Sequence, residues 1–251
     1  CNFMELKRYQ KATLEILEKF LKELKKVGLK YAFMGITEKP YQANAFDEIP
    51  FVCIKIPTGG GKTLVGSYAV EKIMNHILQH KMERGIVLWF TPSEAIKTQT
   101  LKKFKDRKDP HRQILDEAFE NKVIVFSNEE ALSIRRGDVS NNLCLVIASL
   151  EAFRKEKSLQ RKYKVYQENG ALLDHFEHTG EPDYLERDSG GTIINSLANV
   201  VRMSTPLIVI DEGHKTKTHF SIDFIKDLNP SFIIEYTATP RSGSNILVEI
   251  H

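Results

Sequence analysis

Phe51-Val52-Cys53-Ile54-Lys55-Ile56-Pro57-Thr58-Gly59-Gly60-Gly61-Lys62-Thr63 is the stretch on which the fold reading turns. Its first six residues, apolar apart from Lys55, read as a buried strand, and the residues from Lys62 towards Leu78 read as a helix. A glycine-rich link between the two lets successive backbone N–H groups close around phosphate oxygens at the helix N-terminus, where no side chain obstructs and the helix dipole favours negative charge. Thr58, Gly59, Gly60 and Gly61 supply that cradle. Lys62 adds an ammonium for the β and γ phosphates of ATP, and the Thr63 hydroxyl suits magnesium. The general pattern opens on a glycine where this chain has Ile56, but its Gly-x-Gly-Lys-Thr end is intact.

Outward from this turn, Ile86 to Phe90, Val123 to Phe126, Leu143 to Ala148, Leu207 to Ile210 and Phe232 to Tyr236 are further apolar runs of strand length. Near-continuous apolar strands separated by helical stretches predict an α/β domain whose mostly parallel sheet is covered on both faces. The run Leu207-Ile208-Val209-Ile210 delivers Asp211 and Glu212 to the carboxyl end of its strand, the edge where open parallel sheets bind ligands. Asp211 is the candidate for holding magnesium. Glu212 is the candidate for polarising the water that attacks the γ phosphate.

At 251 residues the chain suits one sizeable domain with insertions. Thirty-six Lys and Arg against 33 Asp and Glu leave a net charge of +3, too little to argue for a polyanionic partner. Cys1, Cys53 and Cys144 are far apart, which disfavours a disulfide framework or a cysteine zinc site and suits the cytoplasm. No apolar run is long enough to cross a bilayer, so no membrane partner is expected. The expected organisation is one domain over residues 1–251, with an opening helix over 4–27 that stops at Gly28 and an insertion over about 154–195. His175 and His178 approach each other in that insertion, but they lack a full ligand set and are given no metal role.

Together these motifs resemble the first motor domain of a superfamily 2 helicase or translocase. Pro57 to Thr63 resembles motif I, Asp211-Glu212-Gly213-His214 the DEAH-type motif II, and Thr237-Ala238-Thr239-Pro240 motif III. Asn199-Val200-Val201-Arg202-Met203 and the Thr-Ala-Thr-Pro ending bring the chain nearest to the motor subunit of type III restriction endonucleases. The resemblance implies a three-layer RecA-like P-loop fold. It also implies that Tyr9 and Gln10 serve adenine, although Gln10 would equally suit an exposed position on the opening helix. Thr91, Pro92, Ser93 and, more weakly, Ser149 correspond to strand-end contacts with a nucleic-acid backbone, while Thr91 and Ser93 would also suit a helix cap. His214 would relay the state of the nucleotide to Thr237 and Thr239. Gly213 departs from the usual helicase box.

The function so implied is ATP-dependent translocation on duplex DNA, with ATP and Mg2+ bound between this domain and a second motor domain in cis, alongside a DNA-modification subunit. That second motor domain and a nuclease domain are missing from the sequence, so weak or absent turnover is expected of the segment by itself. Two other readings stand beside it: an RNA- or DNA-unwinding helicase of another superfamily 2 branch, and an ATP-binding scaffold without hydrolysis.

Overall fold

The computed structural model describes residues 5–43, 46–57, 61–79, 84–154, 163–212 and 223–251. Seven strands lie among them: β1 (Phe51–Lys55), β2 (Ile86–Thr91), β3 (Val123–Ser127), β4 (Leu143–Ser149), β5 (Leu207–Asp211), β6 (Phe232–Thr237) and β7 (Ile246–Glu249). They form one sheet in the order β3-β4-β2-β5-β6-β1-β7, and every neighbouring pair is parallel. All seven carboxyl ends therefore share one edge, and the site is built there.

The strands are apolar on both sides because both sides are covered. Val87 and Trp89 of β2, Val209 of β5 and Ile234 of β6 pack into one core, while Ile86, Leu88, Phe90, Ile208 and Ile233 pack into the other. The first core lies under α1 (Arg8–Val27), α2 (Leu29–Thr37), α3 (Lys62–Leu78), α4 (Glu94–Lys105) and α5 (Pro110–Ala118). The second lies under α6 (Arg136–Asn141), α7 (Leu197–Ser204) and several short 3-10 turns. The result is a three-layer α/β domain of RecA-like type.

Local chemistry sets the helix ends. On α1 the residues Gln10, Thr13, Leu14, Leu17, Phe20 and Leu21 form the buried stripe. The helix stops at Gly28, whose φ of 83° needs no Cβ and whose N–H donates to the Leu24 carbonyl at 3.2 Å. Ser93 caps α4 by accepting from the Ile96 N–H, and Asp109 caps α5 ahead of Pro110. Caps of this kind are each worth about 1 kcal/mol.

Between β4 and α7, residues 163–196 carry 3-10 turns at Lys164–Tyr166 and Gly170–Phe176 and a bridge between Arg187 and Ile193. Fully buried Asn199 ties this stretch down, accepting from the Glu186 N–H and donating to the Glu186 and Ile194 carbonyls. Arg202 joins the same hub, donating to Asn199 Oδ1 at 2.8 Å and to the Asp227 carbonyl at 2.7 Å. The Asn199 to Met203 segment is thus a clamp between two connections on one face of the sheet. Among the described residues no helix is long and apolar enough to cross a membrane.

Candidate nucleotide site

Lys62 is the first residue of α3, following Gly61, whose φ of 73° lies in the left-handed region. Asp211 is the last residue of β5. Side chains alternate along a strand. Leu207 and Val209 belong to the core beneath α3, so Asp211 points to that same face. The two elements meet there, with Lys62 Nζ 3.0 Å from Asp211 Oδ1 and 3.3 Å from Glu212 Oε2.

That one ammonium reaches two consecutive acids requires the alternation to break at Glu212. It breaks there: Glu212 has a φ of 47°, an uncommon conformation for a residue with a side chain. Its N–H donates to the Tyr236 carbonyl at 2.9 Å, which continues the β5–β6 pairing before the chain turns. Asp211 is 4% exposed and Glu212 is 3% exposed. Two adjacent carboxylates so far from water need positive charge beside them. Asp211 and the half-buried Thr63, next to Lys62 on α3, offer oxygen donors of the kind that suits a hard divalent cation such as Mg2+.

Gln10 is 3% exposed, and its side-chain oxygen accepts from the Lys7 N–H at 2.9 Å. A Cβ placed on Gly61 would lie 2.5 Å from Gln10 Nε2. The structure therefore lays Gln10 directly against the glycine turn, with half-buried Tyr9 beside it and Lys7 Nζ 5.8 Å from the Tyr9 ring centre. Thr58, Gly59, Gly60 and His214 lie outside the described residues.

Thr237 is buried, and its hydroxyl oxygen accepts from the Thr239 N–H at 3.1 Å. Its carbonyl accepts from the Ile56 N–H at 3.0 Å. β6 thus touches, through its backbone, the residue before the glycine turn, the Glu212 turn and the Thr237–Thr239 loop.

Further along the edge, Thr91 and Ser149 sit side by side in register at the ends of β2 and β4. Thr91 is fully buried and its hydroxyl faces the Ser93 and Ala148 carbonyls at 3.3 Å each, so it shapes the turn from within. Ser149 is buried, Pro92 is half-buried and Ser93 is exposed.

The basic run from Lys97 to Arg112 is only partly a surface. Lys97 is buried and binds Asn128 at 3.1 Å and Glu129 at 2.9 Å, while Arg112 is buried and binds Asp116 and the Phe104 and Val123 carbonyls. His175, also buried, contacts the Ile134 carbonyl through Nε2 at 2.8 Å. Glu235 and Arg241, which carry no motif signature, flank the Thr237–Pro240 loop. A lone acid inside the apolar run Phe232 to Tyr236 was the available signal.

A parallel sheet with a lysine at the start of α3 paired with a buried acidic pair at the end of β5 is the arrangement of a P-loop domain. The chain belongs, more particularly, to the family of the type III restriction enzyme res subunit, whose family model matches residues 3–242. No curated protein matches it. Among solved structures it is similar to a nuclease-deletion mutant of the Type ISP restriction-modification enzyme LlaGI in complex with a DNA substrate mimic, at 14% identity and a TM-score of 0.40 over 95% of this chain. It is also similar to the UvsW helicase from bacteriophage T4, at 14% identity and a TM-score of 0.38 over 89% of this chain. The chain spans 18% of the length of the first and 67% of the second.

Proposed function

We propose that this chain is the ATP-binding first motor domain of an ATP-dependent translocase on duplex DNA, within a restriction motor subunit. The observation that carries the reading is the convergence of Lys62, Asp211 and Glu212 at one sheet edge. The two carboxylates neutralise Lys62. Phosphate oxygens of ATP take over that role, leaving Lys62 to balance charge on the β and γ phosphates. Thr63 and Asp211 would hold Mg2+, which supplies charge neutralisation for the transferred phosphoryl group. Glu212, turned towards the same point, accepts the proton of the attacking water. Gln10 and Tyr9 flank the turn on the side where the base would lie, and Gln10 offers both a donor and an acceptor to a base edge.

His214, Thr237 and Thr239 are proposed as the coupling group. Ser93, with Pro92 and the start of α4, is the accessible candidate for a phosphate backbone, and Thr91 and Ser149 hold that turn from beneath. A backbone contact of this kind carries little base specificity. A second motor domain in cis would complete the site with an arginine, so the domain by itself is expected to bind ATP with little turnover. The duplex-DNA preference follows the family's restriction role, as does a DNA-modification subunit as partner.

The experiment is ATP turnover by the chain alone and joined to its second motor domain, each with duplex DNA, single-stranded DNA or RNA. The reading expects turnover only in the joined protein and strongest stimulation by duplex DNA. Stimulation by RNA alone would overturn the duplex preference, and no turnover under any condition would point to a non-hydrolytic ATP-binding role.

A further inference from the structure

Glu235 lies in β6 two residues before Thr237, on the face of the sheet opposite Asp211. Its register partners are Ile210 in β5 and Cys53 in β1, and Ile210 packs in the core beneath α7. Glu235 is 2% exposed. An ionised carboxylate in such a place is costly unless it is paired, and burial pushes its pKa above the usual carboxylate range while the nearby Arg241 guanidinium opposes the shift.

The pairing is incomplete. Glu235 Oε2 accepts no hydrogen bond from the described residues, and Arg241 Nη2 stands 4.0 Å away, beyond hydrogen-bonding range. Buried polar atoms are rarely left so, and an exception calls for an explanation, here a buried carboxylate with a guanidinium standing just short of it. Arg241 is suited to complete the pair. It follows Pro240 at the end of the Thr237–Pro240 loop, its side chain is 32% exposed, and a guanidinium can meet a carboxylate with two parallel hydrogen bonds. The ends of this connection are anchored: Thr237 to Ile56, and Asn245 to Cys53, Phe51 and Gln42. A shift between those anchors can close the gap without disturbing the sheet.

We propose that Glu235 is a positioning residue for the Thr237–Pro240 loop: its buried carboxylate draws in Arg241 and so locks the loop in the position that supports ATP hydrolysis. The lock acts through β6, the strand that also bonds Ile56 before the glycine turn and Glu212 beside the nucleotide. Neither Glu235 nor Arg241 touches the reacting atoms. This inference rests on the motor reading above.

The test is DNA-stimulated ATP turnover in the full-length protein carrying this domain, with kcat and KM for ATP measured for wild type, Glu235→Gln, Arg241→Ala, Arg241→Lys and the Glu235→Gln/Arg241→Ala double variant. Thermal unfolding is followed for each, and the Arg241 variants alter a partly exposed side chain on a loop. The expected result is a kcat about tenfold lower in each of Glu235→Gln and Arg241→Ala, a KM within about twofold of wild type, partial rescue in Arg241→Lys, and no further loss in the double variant, the pattern of two residues acting as one unit. Losses that multiply in the double variant, or an effect confined to KM, would overturn the proposal. An active wild type with unchanged kcat in both single variants would overturn it alone. A wild type without turnover, or turnover that survives Lys62→Ala, would overturn the motor reading and the proposal with it.

Discussion

Lys62 Nζ lies 3.0 Å from Asp211 Oδ1, so the ammonium presented by the start of α3 is already held by the carboxylate presented by the end of β5. With Glu212 at 3.3 Å, both carboxylates balance the charge of this one lysine. In the proposed function, phosphate oxygens would share this lysine with the two carboxylates, and a divalent cation held by Asp211 would free the ammonium for phosphate.

Glu212 and Lys62 should separate chemistry from binding. Replacing the general base, Glu212→Gln, is expected to lower turnover by about 10²- to 10⁴-fold. ATP affinity should stay close to wild type, because the carboxamide keeps the shape and Lys62 keeps Asp211. Single-turnover hydrolysis beside equilibrium ATP binding checks both halves, and a parallel loss of affinity would argue against the role given to Glu212.

Lys62 also stabilises the fold through its two carboxylate partners. Lys62→Met leaves two neighbouring buried carboxylates with one counter-charge fewer, at a cost of about 2 kcal/mol. Mg2+ alone should then raise the unfolding temperature of Lys62→Met more than that of wild type, because it replaces the missing charge. Calorimetry with and without Mg2+ reads this directly, and equal responses would mean that the acids do not collect the cation.

Gly66 sits one turn after Lys62 on α3, and a Cβ there would meet Trp89 Cη2 at 2.5 Å. Gly66→Ala is expected to destabilise by about 1–3 kcal/mol through overpacking, more than the roughly 1 kcal/mol that alanine brings to a helix. Trp89 is the one tryptophan of the chain and lies under α3, so its emission should change when ATP settles the start of that helix. Emission that is indifferent to saturating ATP would count against a nucleotide site at this end of α3.

Gly61 answers two constraints at once: a φ of 73°, and the approach of Gln10 Nε2 to within 2.5 Å of the point a Cβ would occupy. Gly61→Ala should therefore weaken ATP binding, with about 1–2 kcal/mol of backbone strain behind the loss. Adding Gln10→Ala removes the crowding but leaves the strained φ and takes away the base contact proposed for Gln10, so the affinity should not return. Full recovery would assign the whole defect to Gln10.

Much of this fold can be read from the residues because parallel strands buried on both faces are apolar throughout. β1 to β6 stand where the apolar runs place them, each within a residue or two. β7 is harder to read: Ile246–Glu249 is short, and its pairing with β1 slips between Cys53 and Ile54. The second helix after Gly28 is likewise a matter of packing against α1 rather than of pattern.

Charge was less legible than apolarity. Lys97 and Arg112 belong to a basic run by composition, yet Asn128 and Glu129, which only the fold brings near, draw Lys97 inward, and Asp116 one helical turn along holds Arg112. The motifs gave the identities of Lys62, Asp211 and Glu212, but not the positive φ that lets both acids face one lysine. Glu235 carries no signal in the sequence beyond a lone acid in an apolar run, because Arg241 lies across a loop whose path the sequence does not fix.

The most direct measurement is the equilibrium affinity of the wild-type chain and of Lys62→Ala for ATP, with and without Mg2+. Wild type is expected to bind ATP more tightly with Mg2+, and Lys62→Ala to lose at least about 30-fold in affinity, the cost of removing a charge partner from a desolvated site. Equal affinity for the two proteins, or ATP binding indifferent to Mg2+, would contradict a shared site at Lys62 and Asp211.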